Sequence, residues 1–275
     1  MNRKCVGVVL AGLSLGVASL SAGLASGQAE GVPQPEPIAA ADLPDVEEIM
    51  RLHLDGLGGE DAVRAVTSRR FVGRVRVFVG GEERPRQEGR LEVTAGAPQT
   101  MVQEIVFPGQ ATLRSIVQDG TAWQVTDDGD AEALSDIAAT RLAASARFYQ
   151  LADWREMFSD VRVRGGVSQG DRRAALLEMT HLDGRREVYS IDLDTGLLLM
   201  ITGERPSPLD ETQMAPFRRV YEDYREIDGV QYAYRVVEQT GPIVFEIEIS
   251  RIETGVEVPE FEVPDVVTAG AAEGG

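Results

Sequence analysis

The side chains that most often move protons, attack carbonyls or bind metals near neutral pH are scarce in this sequence of 275 residues. Its two histidines, His53 and His181, lie far apart in the chain, so no sequence-local pair suggests a zinc site. The only cysteine is Cys5 and the only lysine is Lys4. Both fall in a segment that reads as an export leader, and without it thiol and Schiff-base mechanisms have no nucleophile. No nucleophile-elbow pattern surrounds a serine, and no glycine-rich loop joins a strand to a helix as a phosphate cradle. Asp and Glu together number 45, so carboxylate pairs arise by chance and single out no acid and base. Asp127, Asp128, Asp130 and Glu132 do not follow the ligand order of an EF-hand and read as a turn with Asp130 capping a helix. Asp192, Asp194 and Gly196 read as a hairpin corner. The expectation is a chain with no catalytic residue, no metal site and no cofactor.

The opening residues say where the protein works. Arg3 and Lys4 precede an apolar, uncharged run from Val6 to Leu24, and small residues at Gly27 and Ala29 favour cleavage after Ala29. The reading is a signal peptide over 1–29 and a periplasmic or secreted product. Cys5 lies upstream of the apolar run, so it leaves with the leader and gives no lipid anchor. The mature chain then has no disulfide, and a sizeable hydrophobic core must supply its stability. Formal net charge is −18, and loss of Arg3 and Lys4 makes it more negative still. Such a surface repels phosphate backbones and anionic headgroups, so nucleic acid is not an expected partner. No stable membrane insertion is expected after cleavage.

Residues 30–42 carry Pro33, Pro35 and Pro37 and read as an extended spacer. Residues 265–275 are rich in Gly and Ala and read as a disordered tail, which leaves 43–264 as one domain. Val46, Ile49, Met50, His53, Leu54 and Leu57 form one helical stripe, stopped by Gly58 and Gly59, and 60–66 continues as a short helix. From Arg69 the period switches to two, with Phe71, Val75, Val77 and Val79 against Arg70, Arg74 and Arg76. About a dozen such runs follow at short spacing and predict an antiparallel meander. A two-residue turn at Asp228-Gly229 pairs Ile227 with Val230, Glu222 with Arg235 and Tyr221 with Val236. Around Asp183-Gly184 a three-residue loop pairs Met179 with Tyr189, Leu177 with Ile191 and His181 with Glu187. The stretch 130–158 reads as one or two helices laid over the concave face.

Several of these elements occur together, in order, in a known family. They are Gly58-Gly59-Glu60-Asp61-Ala62 before a strand, Asp119-Gly120-Thr121-Ala122-Trp123, Tyr189-Ser190-Ile191-Asp192 with Thr195-Gly196-Leu197-Leu198, and Tyr221-Glu222-Asp223-Tyr224-Arg225 with Asp228-Gly229-Val230. The pattern resembles the LolA-like, outer-membrane lipoprotein-sorting superfamily. That resemblance implies a mainly β fold: a curved antiparallel sheet or incomplete barrel of about eleven strands around an apolar concavity, with a helical plug or lid. It implies a non-enzymatic binder or carrier of lipid or lipoprotein acyl chains. The alternative is an envelope-stress sensor or interaction domain whose partner is an envelope membrane protein. Candidate cavity liners are Phe71, Val75, Val77, Ile105, Phe107, Tyr189, Ile191, Phe245, Ile247 and Ile249, with Phe148 or Trp154 from the lid. The competing expectation is that these residues fill a solid core.

Overall fold

The computed structural model describes residues 35–125, 131–134 and 136–261; the leader, the Asp130 cap and the tail lie outside them. The described chain begins with strand β1 (Glu36–Ile38), then helices α1 (Val46–Gly56) and α2 (Glu60–Ala65). Strands β2 (Ser68–Val79), β3 (Gln87–Gly96), β4 (Thr100–Val106), β5 (Leu113–Gln118), β6 (Thr121–Val125) and β7 (Ala131–Ala133) follow. Helices α3 (Asp136–Ser145) and α4 (Trp154–Met157) lead to β8 (Phe158–Gln169), β9 (Arg172–His181) and β10 (Arg186–Asp192). The chain continues through β11 (Leu198–Ser207), β12 (Asp210–Ile227), β13 (Val230–Thr240) and β14 (Ile243–Thr254).

These strands make one antiparallel sheet of two meanders, β2 to β7 and β8 to β14, joined where β14 pairs with β2. β1 lies outside β8, so β1 and β7 are its two ends, and the sheet curves without closing. Among the described residues it has 14 strands rather than about a dozen. The additions are β1 and β7, each only 3 residues long and too short for alternation to register. β1 also corrects the spacer reading: Glu36–Ile38 pairs with Gly166–Ser168. Pro37 is tolerated there because an edge strand has one side without partners.

The β12–β13 hairpin has the expected register, including Tyr221 opposite Val236 and Glu222 opposite Arg235. Asp228 and Gly229 both take positive φ, +51° and +79°, as a type I′ turn requires. The β9–β10 hairpin needs a correction. Tyr189 lies opposite Leu177, and Glu187 opposite Met179. The tip is Leu182 to Gly184, closed by His181 N–H donating to the Arg185 carbonyl at 2.8 Å. The offset is two residues, so every side chain keeps its expected face.

Inward-facing Phe71, Val75, Leu91, Ile105, Leu177, Met179, Ile191 and Ile247 are buried in one core with Ile49 and Met50 of α1 and Leu142 of α3. The outward face is laced by Arg and Glu across strands, with Arg76 to Glu246 at 3.2 Å and Arg235 to Glu246 at 3.0 Å, and Arg74 paired to Glu248. Such exposed pairs contribute little energy each. A one-residue slip would nevertheless drive a whole row of them into the core, which pins the register.

Helix α1 begins where the Asp45 carboxylate accepts the Glu48 N–H at 2.9 Å. Its far end is seated backbone to backbone on two hairpin turns. A Cβ on Gly58 (φ +117°) would lie 1.9 Å from the Gly229 carbonyl oxygen, and one on Gly196 (φ +73°) 2.1 Å from that of Leu52. Gln231 N–H donates to the Leu57 carbonyl at 2.9 Å, so α1 is a plug held by the β10–β11 and β12–β13 turns.

Gly196→Ala should therefore lower unfolding free energy by about 3 kcal/mol. Gly80→Ala, also at positive φ (+65°) but with nothing within 4 Å of its Cβ, should cost only about 1 to 2 kcal/mol. Urea denaturation measures both; equal costs would mean that α1 is not seated on the turn.

Candidate functional site

Two adjoining cavities lie between the concave face and its cover. The first has a volume of about 110 Å³. His53, Leu54 and Leu57 of the α1 region, Val63 of α2 and Phe148 to Ala152 cover it, while Tyr189, Leu198, Ile201, Tyr221, Val230 and Tyr232 form its floor. The covering segment is tied down from both sides. The Tyr149 hydroxyl donates to the Val66 carbonyl at 3.1 Å, and Arg64 pairs with Asp153 at 2.9 Å. Arg69 lies 4.3 Å from the centre of the Phe148 ring, and burial pulls its guanidinium pKa down against the opposing pull of Tyr232.

The second cavity, about 60 Å³, shares Gln150, Tyr189 and Ile201 with the first but has a charged wall. Its hub is Glu187 on β10, 2% exposed. One carboxylate oxygen accepts from Arg185 at 2.9 Å and Arg205 at 3.0 Å; the other is 2.9 Å from His181 Nε2 and accepts the Tyr189 hydroxyl at 3.2 Å. Burial alone would raise the Glu187 pKa, but the His181 hydrogen bond and the Arg205 and Arg185 charges hold it well below the usual range. Across β12 and β13, Arg219 Nε donates to Glu238 at 2.7 Å, both buried. Arg205 stacks on Phe217, 3.3 Å from the ring centre. Breaking such a pair by removing one partner leaves a buried charge and costs about 3–5 kcal/mol.

Among the described residues, only Phe148 and Tyr189 of the expected liners stand on the apolar cavity's wall. Phe71, Val75, Val77, Ile105, Phe107, Ile191, Phe245, Ile247 and Ile249 are buried elsewhere in the same core, and Trp154 packs against it half-buried. The most apolar inner strands supply that buried core. The gap opens where rigid Tyr189, Tyr221 and Tyr232 meet the helix stripe around His53. The charged chamber is a further departure from the reading of a purely greasy interior. Its signal was present: Arg219 has the same strand parity as Phe217 and Tyr221, and Glu238 that of Val236, so the correctly read β12–β13 register already sets Arg219 opposite Glu238.

The histidines do not converge. His53, buried on the apolar wall, has Nδ1 2.8 Å from the Gly196 carbonyl oxygen, while His181 belongs to the charged chamber. Among the described residues no His, Cys, Asp and Glu side chains group as a metal set. The Asp192 carboxylate accepts the N–H groups of Asp194 and Thr195, each at 2.9 Å, which makes the expected hairpin corner.

No family model and no curated protein sequence matches the chain. Solved structures do. A LolA superfamily protein from Nitrosomonas europaea superposes with a TM-score of 0.56 at 13% identity, covering 79% of this chain and 96% of its own. A DUF1329 family protein from Desulfovibrio piger gives 0.54 at 13% identity, covering 78% and 95%. A structure described as an outer membrane lipoprotein-sorting protein domain, from Vibrio parahaemolyticus, gives 0.53 at 10% identity, covering 78% and 93%. At such identities the likeness is one of fold: this chain has the open, LolA-like barrel that its sequence resembles.

Burial of His53 lowers its pKa to about 4 from 6.5, against a smaller opposing pull from its bond to Gly196. The unfolded chain thus takes up the proton first. The resulting stability is fully present above pH 6.5 and is lost as pH falls towards 4, by about 3 kcal/mol in all. Unfolding free energies of the wild type and His53→Gln, compared from about pH 7 to about pH 4, should converge by that amount. A constant gap would show that His53 is not buried neutral.

Proposed function

We propose that this protein is a periplasmic, non-enzymatic binder or carrier of an apolar ligand, a lipid or a lipoprotein acyl chain, delivered by a leader over 1–29 that is cleaved after Ala29. The observation that carries the reading is the apolar cavity between the α1–α2 cover and the β10–β13 floor. Protein cores pack with few voids larger than water, and an apolar cavity of ~150 Å³ takes up benzene. A space of about 110 Å³ therefore accepts a short stretch of alkyl chain as it stands. Each buried methylene contributes ~0.8 kcal/mol, so ~15 of them supply roughly 12 kcal/mol. A chain of that length must displace the segment from Phe148 to Ala152. The ties that hold it are few: the Tyr149 hydroxyl on the Val66 carbonyl, the half-exposed Arg64–Asp153 pair at its end and one backbone bond from Phe148 N–H to the Pro98 carbonyl, each worth little on its own. The fold supports the reading, since the solved structures it resembles include a LolA superfamily protein and a lipoprotein-sorting domain.

Uptake of a fluorescent long-chain fatty acid tests this directly. The wild type should bind it, and Leu54→Trp, which fills the cavity from its cover, should weaken binding about tenfold or more. No uptake by a folded wild-type protein, with no lipid recovered from native extracts, would overturn the proposal.

A further inference from the structure

The charged chamber lies between the apolar cavity and the surface. It shares Gln150, Tyr189 and Ile201 with the cavity on one side, and Arg141 and Arg185 with an open surface groove on the other. Further along, the groove is mixed, with Arg164 and Arg186 beside Glu178, Asp183 and Glu204, so the arginine excess lies at the chamber mouth. A ligand whose tail occupied the cavity would therefore place its head among guanidinium groups, in a chain whose formal net charge is −18.

Arg141 is the informative member. Arg185, Arg205 and Arg219 all have carboxylate partners in Glu187, Glu238 or Asp183. Arg141, half-buried on α3, has no hydrogen bond or ion pair among the described residues, although it lines both the chamber and the groove. Set against Glu187, Glu238 and Asp183, the four arginines leave one guanidinium in excess. Burial and the like charges of Arg185 and Arg205 lower the pKa of Arg141, more than Asp183 and Glu187 raise it. A guanidinium held against like charge without a bonded counter-ion is a site prepared for an anion.

We infer that the cargo is an amphiphile with an anionic head, a carboxylate or phosphate, gripped by Arg141 beside Arg185 at the chamber mouth while its alkyl chain runs past Tyr189 and Ile201 into the apolar cavity. This rests on the carrier reading and narrows it. Neutral and cationic amphiphiles of equal chain length lose the head contact. Small free anions gain the contact but lack the tail.

Dodecanoate, dodecanol, dodecyltrimethylammonium and acetate, titrated as competitors of the fluorescent fatty acid, separate these cases. Dodecanoate should compete about tenfold better than dodecanol or the cationic amphiphile, and acetate should not compete at comparable concentrations. In Arg141→Gln the ratio of dodecanoate to dodecanol affinity should fall close to one, while Arg141→Lys should keep part of it. Because the ratio compares two ligands on one preparation, a general loss of folded protein cancels, and circular dichroism monitors the fold. Equal binding of dodecanoate and dodecanol by the wild type would overturn the head-group site and leave the carrier reading intact. An unchanged ratio in Arg141→Gln, or competition by acetate as strong as by dodecanoate, would also overturn it. Binding of neither amphiphile would overturn both.

Discussion

Inward-facing charge on β10 to β13 is the constraint around which the rest of the interior is arranged. Glu187, Arg205, Arg219 and Glu238 come from successive strands, and each must find its partner away from water. A shift of one residue would turn any of these strands inside out, and a shift of two would separate Arg219 from Glu238. The network thus fixes register where apolar alternation alone would tolerate a two-residue slip. Its stabilising energy over an apolar alternative is small or absent, because desolvating the charges offsets most of their attraction. What it provides is a fixed arrangement and an interior end that cannot be filled with packed hydrocarbon.

The two ends of the interior differ for that reason. From β14 through β2 to β4, aliphatic and phenylalanine side chains are buried together in one core. Towards β10 to β13, tyrosines, His53 and the guanidinium groups are too rigid or too polar to close the remaining space, and a wall that is apolar on one side and charged on the other is left. The cover repeats this division. α1 is fixed by glycine contacts to two hairpin turns, whereas the Phe148 to Ala152 segment is held by one backbone bond, Phe148 N–H to the Pro98 carbonyl at 3.0 Å, and otherwise by side chains.

Much of the architecture was legible in the sequence because alternation reports which face is buried. The β12–β13 register followed from pairing like with like, and even the misplaced β9–β10 tip kept the right faces. The strands of 3 residues were invisible because a period cannot be read from so few positions. The cavity was less legible. Apolarity marks residues that are inside, but a void depends on which side chains fail to mesh, and strand patterns do not encode that. The LolA-like resemblance was a fair guide to the fold and silent about the charged chamber, which only the inward parity of Arg219, Glu238 and Glu187 foreshadowed.

A carrier of this kind holds an alkyl chain at the apolar end of the interior and an anion at its basic end. A crystal structure grown with dodecanoate tests it most directly. Alkyl density is expected among Leu54, Leu57, Val63 and Ile201, with the carboxylate within hydrogen-bonding distance of Arg141. A carboxylate in solvent away from the arginines, or an unchanged cavity with the ligand bound on the outer face of the sheet, would contradict it.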